Sequence, residues 1–280
     1  MTIDHYAVFG HPIKHSKSPL IHRLFAEQTG QPLIYTAEDV PQQAFAMAIE
    51  RFFLNGGRGL NCTLPLKELA WQTASHLTPR AQRAKAVNTL TLQADNTLLG
   101  DNTDGIGLLN DLTHNHGIAI KNQRILILGA GGATRGIIAP LLDHGATNIV
   151  IANRTPEKAH FIAQEFQDLG DVTGCGYPAL ENQRFDLLIN ATSASLSGDL
   201  PPLPPKLLRD NASCYDLAYA DRPTAFMDWS HRHGARLALD GLGMLAEQAA
   251  EAFYIWRNIR PETATVIAYL NQQRQHGIPS

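Results

Sequence analysis

Arg124-Ile-Leu-Ile-Leu-Gly-Ala-Gly-Gly-Ala-Thr-Arg-Gly-Ile-Ile-Ala-Pro-Leu-Leu142 is the stretch on which the fold of this 280-residue chain turns. Arg124–Leu128 is a short apolar run, which reads as a buried strand. Gly129, Ala130, Gly131, Gly132 and Ala133 form a turn, and Ile137, Ile138, Leu141 and Leu142 then recur on one helical face. A glycine-rich turn between strand and helix lets backbone N–H groups approach a pyrophosphate at the helix N-terminus. Thr134 holds the last glycine position of G-x-G-x-x-G, so the motif is incomplete, and taken alone a tight packing turn explains it as well. The context favours a dinucleotide site, because a second strand at Asn148–Ala152 completes the unit within about 30 residues. An NAD site usually places Asp or Glu at the end of that strand for the ribose 2′-hydroxyl. Here the chain reads Asn153-Arg154-Thr155, with Lys158 one turn later. A guanidinium pairs bidentately with a 2′-phosphate that a carboxylate would repel, so the reading is NADP. The alternative is that Arg154 is a solvated surface charge.

Outward from this unit the alternation continues. A helix over 156–166 and strands over 185–189, 213–217 and 236–239 predict a parallel, doubly wound sheet. Helices over 244–256 and 261–272 close the chain. Upstream, strands at 6–9, 33–37 and 59–63 alternate with helices after Pro19, over 44–54 and after Pro65. A hairpin over 87–92 and 97–100 turns at Asp95-Asn96, and a helix follows over 104–114. The fold class expected is α/β in two domains, one of them a Rossmann-type sheet.

Composition excludes several classes. Hydrophobic residues are 44% and charged residues 18%, close to the globular average, so a disordered chain is ruled out. A net charge of −3 advertises no nucleic-acid face. The most apolar stretch, 125–142, carries Arg135 and four glycines and is too broken for a membrane span. Met1-Thr2-Ile3-Asp4-His5 lacks the pattern of a signal peptide. Cys62, Cys175 and Cys214 show neither zinc nor disulfide spacing, which suggests a reducing cytoplasm. The histidine pairs His11/His15, His114/His116 and His231/His233 lack a third ligand, so no metal is expected.

Three polar clusters sit at predicted strand ends, where ligands bind in open α/β sheets. They are His15-Ser-Lys-Ser-Pro19, Asn61-Cys-Thr-Leu-Pro-Leu-Lys67, and Asn88-Thr89 with Asn102-Thr-Asp104. Each alone reads as helix capping or turn chemistry sooner than as catalysis. In this order, ahead of an NADP fingerprint, they resemble the shikimate dehydrogenase family. Gly10 to Pro19, Gly59 to Lys67, Ala86 to Thr89, Gly100 to Gly105, Asn153-Arg-Thr155, Asn190-Ala-Thr-Ser193 and Gly241-Leu-Gly-Met-Leu245 carry the resemblance, essentially end to end. Cys62, Leu217, Ala246 and Ala249 depart from it by small apolar changes.

The resemblance implies reversible NADP-dependent reduction of 3-dehydroshikimate to shikimate. It implies a substrate domain of 1–104 plus 240–280 and a cofactor domain of 105–239. Ser16 and Ser18 would hold the substrate carboxylate, and Thr63, Asn88 and Gln248 the ring hydroxyls, with Tyr219 a further substrate contact. Lys67 and Asp104 would flank the reacting carbon as the catalytic pair. Thr192, Leu217 and Gly241 would join Gly129 to Ala133, Asn153, Arg154, Thr155 and Lys158 around NADP. Those residue types suit the reaction: a lysine ammonium can stabilise charge developing on a carbonyl oxygen and supply its proton, and a nearby carboxylate orients the lysine and favours its charged form; the sequence leaves open which of Lys67 and Asp104 passes the proton. Gln248 has support of its own, since a polar amide beside the stripe Leu245, Ala249, Phe253 and Trp256 needs a partner. The competing readings are a broader quinate/shikimate dehydrogenase, a non-catalytic NADP sensor, and a methylene-tetrahydrofolate dehydrogenase-like enzyme. The Ser16/Ser18 and Asn102-Thr-Asp104 motifs argue against the last. A homodimer is the assembly carried as an expectation.

Overall fold

The computed structural model describes residues 3–192 and 194–275; Met1, Thr2 and Ser193, quoted above, lie outside them. The chain divides into two compact units, Met1–Gly107 with Leu245–Ser280, and Leu108–Met244. Both divisions fall inside helices and not at 104/105 and 239/240. Leu108, Leu109, Leu112 and Met244 pack into the core of the second unit, which draws them to it.

The first unit begins β1 (Asp4–Gly10), α1 (Ser18–Thr29), β2 (Leu33–Asp39), α2 (Phe45–Leu54) and β3 (Gly57–Cys62). It continues α3 (Lys67–Thr73), β4 (His76–Leu77), α4 (Pro79–Ala84), β5 (Thr89–Leu92), β6 (Leu98–Asp101) and the start of α5 (Asp104–Asn110). The strands form one sheet in the order β2-β1-β3-β5-β6-β4. β1 is parallel to β2 and β3, whereas β5 is antiparallel to β3 and β6. Alternation along β1 sends Ala7 and Phe9 into one cluster and Tyr6 and Val8 into another, so both faces of the sheet are covered. The expected hairpin forms: Asp95 Oδ1 accepts from the Thr97 N–H at 3.0 Å, and Asn96 takes a left-handed φ of 63°. β4 and α4 were not foreseen, being too short for hydrophobic periodicity to register. A cap marks α4 instead, where Thr78 Oγ1 accepts from the Ala81 N–H.

The second unit contains β7 (Arg124–Leu128), α6 (Gly132–Asp143), β8 (Asn148–Ala152), α7 (Pro156–Phe166), β9 (Val172–Cys175) and β10 (Phe185–Asn190). β11 (Leu208–Asp216), α8 (Ala225–Arg232) and β12 (Leu237–Asp240) complete its sheet, and α9 (Leu242–Arg257) and α10 (Ala264–Gln275) end the chain. All pairings are parallel, in the order β12-β11-β10-β7-β8-β9. Counted from β7 this is 3-2-1-4-5-6, the strand order of dinucleotide-binding sheets, with its reversal between β7 and β10. Ile125, Ile127, Ile149 and Ile151 face one core, and Leu126, Leu128, Val150 and Ala152 the other. The helix expected over 104–114 is regular only to Asn110 and widens into a π turn over Asp111–Asn115. There the buried Asp111 carboxylate accepts from Tyr215 Oη at 2.6 Å and Asn115 Nδ2 at 2.8 Å. The last helix starts at Ala264, three residues beyond the expected Pro261.

Candidate active site and cofactor site

In the first unit, the ends of β3, β5 and β6 bring four polar side chains together. Lys67 opens α3 and Asp104 opens α5, and Lys67 Nζ donates to Asp104 Oδ2 at 2.6 Å. The two side chains are 15% and 5% exposed, so the pair is largely out of water. Asn88 precedes β5, and its Nδ2 donates to Asp104 Oδ1 at 3.0 Å, Thr103 Oγ1 at 2.8 Å and Gln248 Oε1 at 3.2 Å. Its Oδ1 accepts from the Thr103 N–H at 2.9 Å. Gln248, on α9, spends its own Nε2 on the Leu245 carbonyl at 2.9 Å, so both halves of the amide have partners within the protein. Asn102 ties the turn: its Nδ2 donates to the Ala86 carbonyl at 2.9 Å and its Oδ1 accepts from the Asp104 N–H at 3.1 Å.

A second line of buried polar groups runs behind these. Tyr35 Oη reaches across β1 and donates to Asn61 Oδ1 at 2.7 Å. Asn61 Nδ2 donates to the Asn88 carbonyl and to Thr89 Oγ1, both at 3.0 Å. Burial pushes the pKa of the Tyr35 phenol well up. Ser18 is buried at the first turn of α1, where its N–H donates to Ser16 Oγ at 3.3 Å, so Ser16 also serves the turn. Thr63 is held by its backbone: its N–H donates to the Phe9 carbonyl and its carbonyl accepts from Leu66. Tyr35, Asn61 and Thr103 were not singled out in the sequence, although Asn61 and Thr103 stand inside the quoted motifs. Cys62 is 2% exposed, and burial drives its thiol well above the usual range, so it is an inert packing group.

The second unit holds every residue expected around the cofactor, together with Tyr219, the one expected substrate contact outside the first unit. Gly129 follows β7 at a φ of 104°, and a Cβ there would lie 3.1 Å from the Ala191 backbone after β10. Only glycine fits a turn that bends so and comes so close. Over Gly131 the space is open, and no side chain caps the N-terminus of α6 that begins there. Thr134 Oγ1 donates back to the Gly129 carbonyl at 2.9 Å, so the residue that breaks the glycine motif braces the turn. Arg154, Thr155 and Lys158 are exposed at the end of β8 and the start of α7. Asn153 Nδ2 donates to the Thr155 carbonyl at 2.9 Å, which shapes that loop.

An unforeseen network centres on Asp216, at the carboxyl end of β11. Its carboxylate accepts from Asn190 Nδ2 at 3.2 Å, Ser195 Oγ at 2.5 Å, Thr224 Oγ1 at 2.7 Å and the Ala218 N–H at 3.1 Å. Burial raises its pKa, and these hydrogen bonds oppose the rise. Asn190 Oδ1 in turn accepts from Thr192 Oγ1 at 2.7 Å, so one carboxylate organises the loops carrying Thr192 and Leu217. Gly241 closes on the second loop, where a Cβ would clash with the Leu217 carbonyl oxygen. An uncapped helix N-terminus beneath open glycine backbone, and a basic group in place of Asp or Glu in the Asn153-Arg154-Thr155 segment that follows β8, together fit NADP.

Comparison with known proteins agrees with this geometry. Family models match three stretches: the shikimate dehydrogenase substrate binding domain over 8–90, shikimate / quinate 5-dehydrogenase over 111–197, and the shikimate 5'-dehydrogenase C-terminal domain over 241–268. The shikimate dehydrogenase (NADP(+)) of Methylococcus capsulatus is 60% identical over 272 residues, covering 97% of this chain and 98% of that one. Among solved structures, an Ael1 enzyme from Pseudomonas putida superposes with a TM-score of 0.87 at 46% identity, covering 95% of this chain and 98% of that one. The shikimate 5-dehydrogenase from Thermus thermophilus in complex with NADP(H) and shikimate gives 0.84 at 34%, covering 99% of this chain and all of that one.

Proposed function

This chain belongs to the shikimate dehydrogenase family, and on that premise we propose that it reduces 3-dehydroshikimate to shikimate reversibly with NADP(H). NADPH, held by Gly129 to Ala133 and Arg154, would supply the hydride that the ketone carbon needs. Everything else falls to side chains of the chain. The observation that carries the reading is the Lys67–Asp104 pair at 2.6 Å, closed by Asn88. Lys67 Nζ faces the charge that develops on the carbonyl oxygen and gives up a proton to it; in oxidation it takes the proton back. Asp104 keeps Lys67 oriented, and Asn88 holds Asp104 by its other oxygen. Ser16 and Ser18 bind the ring carboxylate, with Thr63, Asn88, Gln248 and Tyr219 around the hydroxyls.

We assign the substrate to Met1–Gly107 with Leu245–Ser280 and the cofactor to Leu108–Met244. Gly129 to Ala133 receive the pyrophosphate, and Asn153, Arg154, Thr155 and Lys158 the 2′-phosphate side, with Thr192, Leu217 and Gly241 near the remaining half. The presence of both Lys67 and Asp104 counts against a non-catalytic sensor. A cytoplasmic location is supported by three free cysteines, and no helix among the described residues is long and apolar enough to cross a membrane. A homodimer is the assembly to be tested, and sedimentation at 30.7 kDa would overturn it. The test of the function crosses shikimate and quinate with NADP and NAD in a spectrophotometric assay. Fastest turnover with shikimate and NADP is expected, and no NADPH formed from shikimate refutes the reading.

A further inference from the structure

We infer that Arg80 is a positioning residue of the substrate site: through Asp101 and Glu251 it fixes the Asp104 turn against the Gln248 helix without touching substrate. The inference rests on the function proposed above. Arg80 stands in the first turn of α4, after the Thr78 cap. Its Nε donates to Asp101 Oδ1 at 2.6 Å and its Nη2 to Asp101 Oδ2 at 2.8 Å, a bidentate pair. Asp101 is 6% exposed and also accepts from Thr78 Oγ1 at 2.6 Å and the Asn102 N–H at 2.7 Å. It directly precedes the Asn102-Thr103-Asp104 turn, so displacing Asp101 displaces the partner of Lys67.

The same Arg80 Nη2 donates to Glu251 Oε1 at 3.1 Å. Glu251 is 6% exposed and lies three residues after Gln248, one turn along α9. Its other oxygen accepts from Arg260, so Asp101, Arg80, Glu251 and Arg260 alternate in charge. A planar fork can serve two carboxylates at fixed angles, which a lysine ammonium cannot reproduce. A separate feature shows how tightly this separation is set. A Cβ on Gly107 of α5 would lie 2.6 Å from Gln248 Cβ and 2.8 Å from its backbone nitrogen. The helices carrying Asp104 and Gln248 therefore leave no slack at Gly107, and the Arg80 clamp ties Asp101, just before the turn, to Glu251 of the second helix.

Arg80→Met keeps the stem and removes the fork, and Arg80→Lys keeps the charge alone. With folding matched by circular dichroism, Arg80→Met is expected to raise KM for shikimate and lower kcat, each by about tenfold, since small misplacements are costly. KM for NADP should stay within about twofold, and Arg80→Lys should fall between. A purely structural role would reduce the folded fraction, lowering apparent kcat with both KM values unchanged, and that result overturns the inference. Arg80→Met/Asp101→Asn neutralises the buried carboxylate that loses its guanidinium partner, while Glu251 keeps Arg260; it should recover the melting temperature while KM for shikimate stays raised. Recovery of KM together with melting temperature also overturns it. Where Arg80→Met does not fold, Arg80→Lys decides, and a wild-type KM for shikimate refutes the clamp. A wild-type protein inactive on shikimate refutes the function; an active one beside an indifferent Arg80→Met refutes this inference alone.

Discussion

Lys67 and Asp104 stand 37 residues apart and meet at 2.6 Å in a setting that is almost dry. A positioned acid–base group is worth about 10²–10⁴ in rate, or about 2.7–5.4 kcal/mol of transition-state stabilisation. Lys67→Ala should therefore lower kcat by about a hundredfold or more, with NADP binding preserved. Asp104→Ala should also be slow, and the double variant far less than multiplicatively worse, because each residue acts through the other. Steady-state kinetics on folded variants check this, and near-normal turnover in Lys67→Ala would remove the assignment. Arg154 is a different case. It is exposed, so any contribution to the fold is small, and its removal should be felt through the ligand. A lost charge-assisted contact costs about 1.5–3 kcal/mol, so Arg154→Ala should raise KM for NADP about tenfold or more and leave KM for NAD nearly unchanged. Equal losses with both cofactors would make Arg154 a structural residue.

Among the elements, α1 carries a liability that the motifs around it hide. His22 is 1% exposed, with its ring parallel to Tyr35 at 4.0 Å and Phe25, Phe253 and Trp256 around it. Neither ring nitrogen has a hydrogen-bond partner among the described residues, and burial lowers its pKa to about 3. The unfolded chain takes up this proton below about pH 6.5, whereas the folded chain resists it until about pH 3. The stability His22 allows is therefore complete above that window and is lost as pH falls through it. His22→Phe keeps the ring packing and removes the titration, so its melting temperature should fall less than the wild type's between about pH 7 and about pH 5. Parallel melting curves would show that His22 is not the acid-sensitive group. The elements also explain what the sequence disclosed. β7, α6 and β8 were legible because both faces of that sheet are buried, leaving unbroken Ile, Leu and Val runs around a glycine turn. β9 was missed because Val-Thr-Gly-Cys is an edge strand of only four residues, and α8 because in eight residues its apolar face amounts to little more than Phe226 and Trp229, too short a run for the period to register. Lys67, Asn88 and Asp104 were legible through their motifs, and Gln248 as an amide beside an apolar stripe. The Tyr35–Asn61 bond was not, because the register of β2, β1 and β3 creates it across 26 residues and no spacing rule records that.

At the scale of the whole molecule, the two proposed ligands have separate addresses. Every proposed cofactor group belongs to Leu108–Met244, and every proposed substrate group except Tyr219 to Met1–Gly107 with Leu245–Ser280. Each unit has its own six-stranded sheet and its own buried clusters. A ligand that binds one folded unit therefore suppresses the opening of that unit first. At a concentration 100 times its Kd, NADP contributes about 2.7 kcal/mol, which slows exchange through opening of the second unit by about a hundredfold. Hydrogen–deuterium exchange read by mass spectrometry should then show NADP alone protecting β7, β8 and the first turn of α6, with β3 and β5 unaffected. Shikimate alone should protect β3, β5 and the turn before α5, and leave β8 and α7 as they were. Tyr219 is the informative exception: as a substrate group it should bring the segment after β11 under protection by shikimate, although that segment belongs to the cofactor unit. Shikimate that leaves it unprotected would remove Tyr219 from the substrate contacts. NADP that alone protects Asn61 to Lys67 would place a cofactor contact in the first unit and overturn the division of labour between the two.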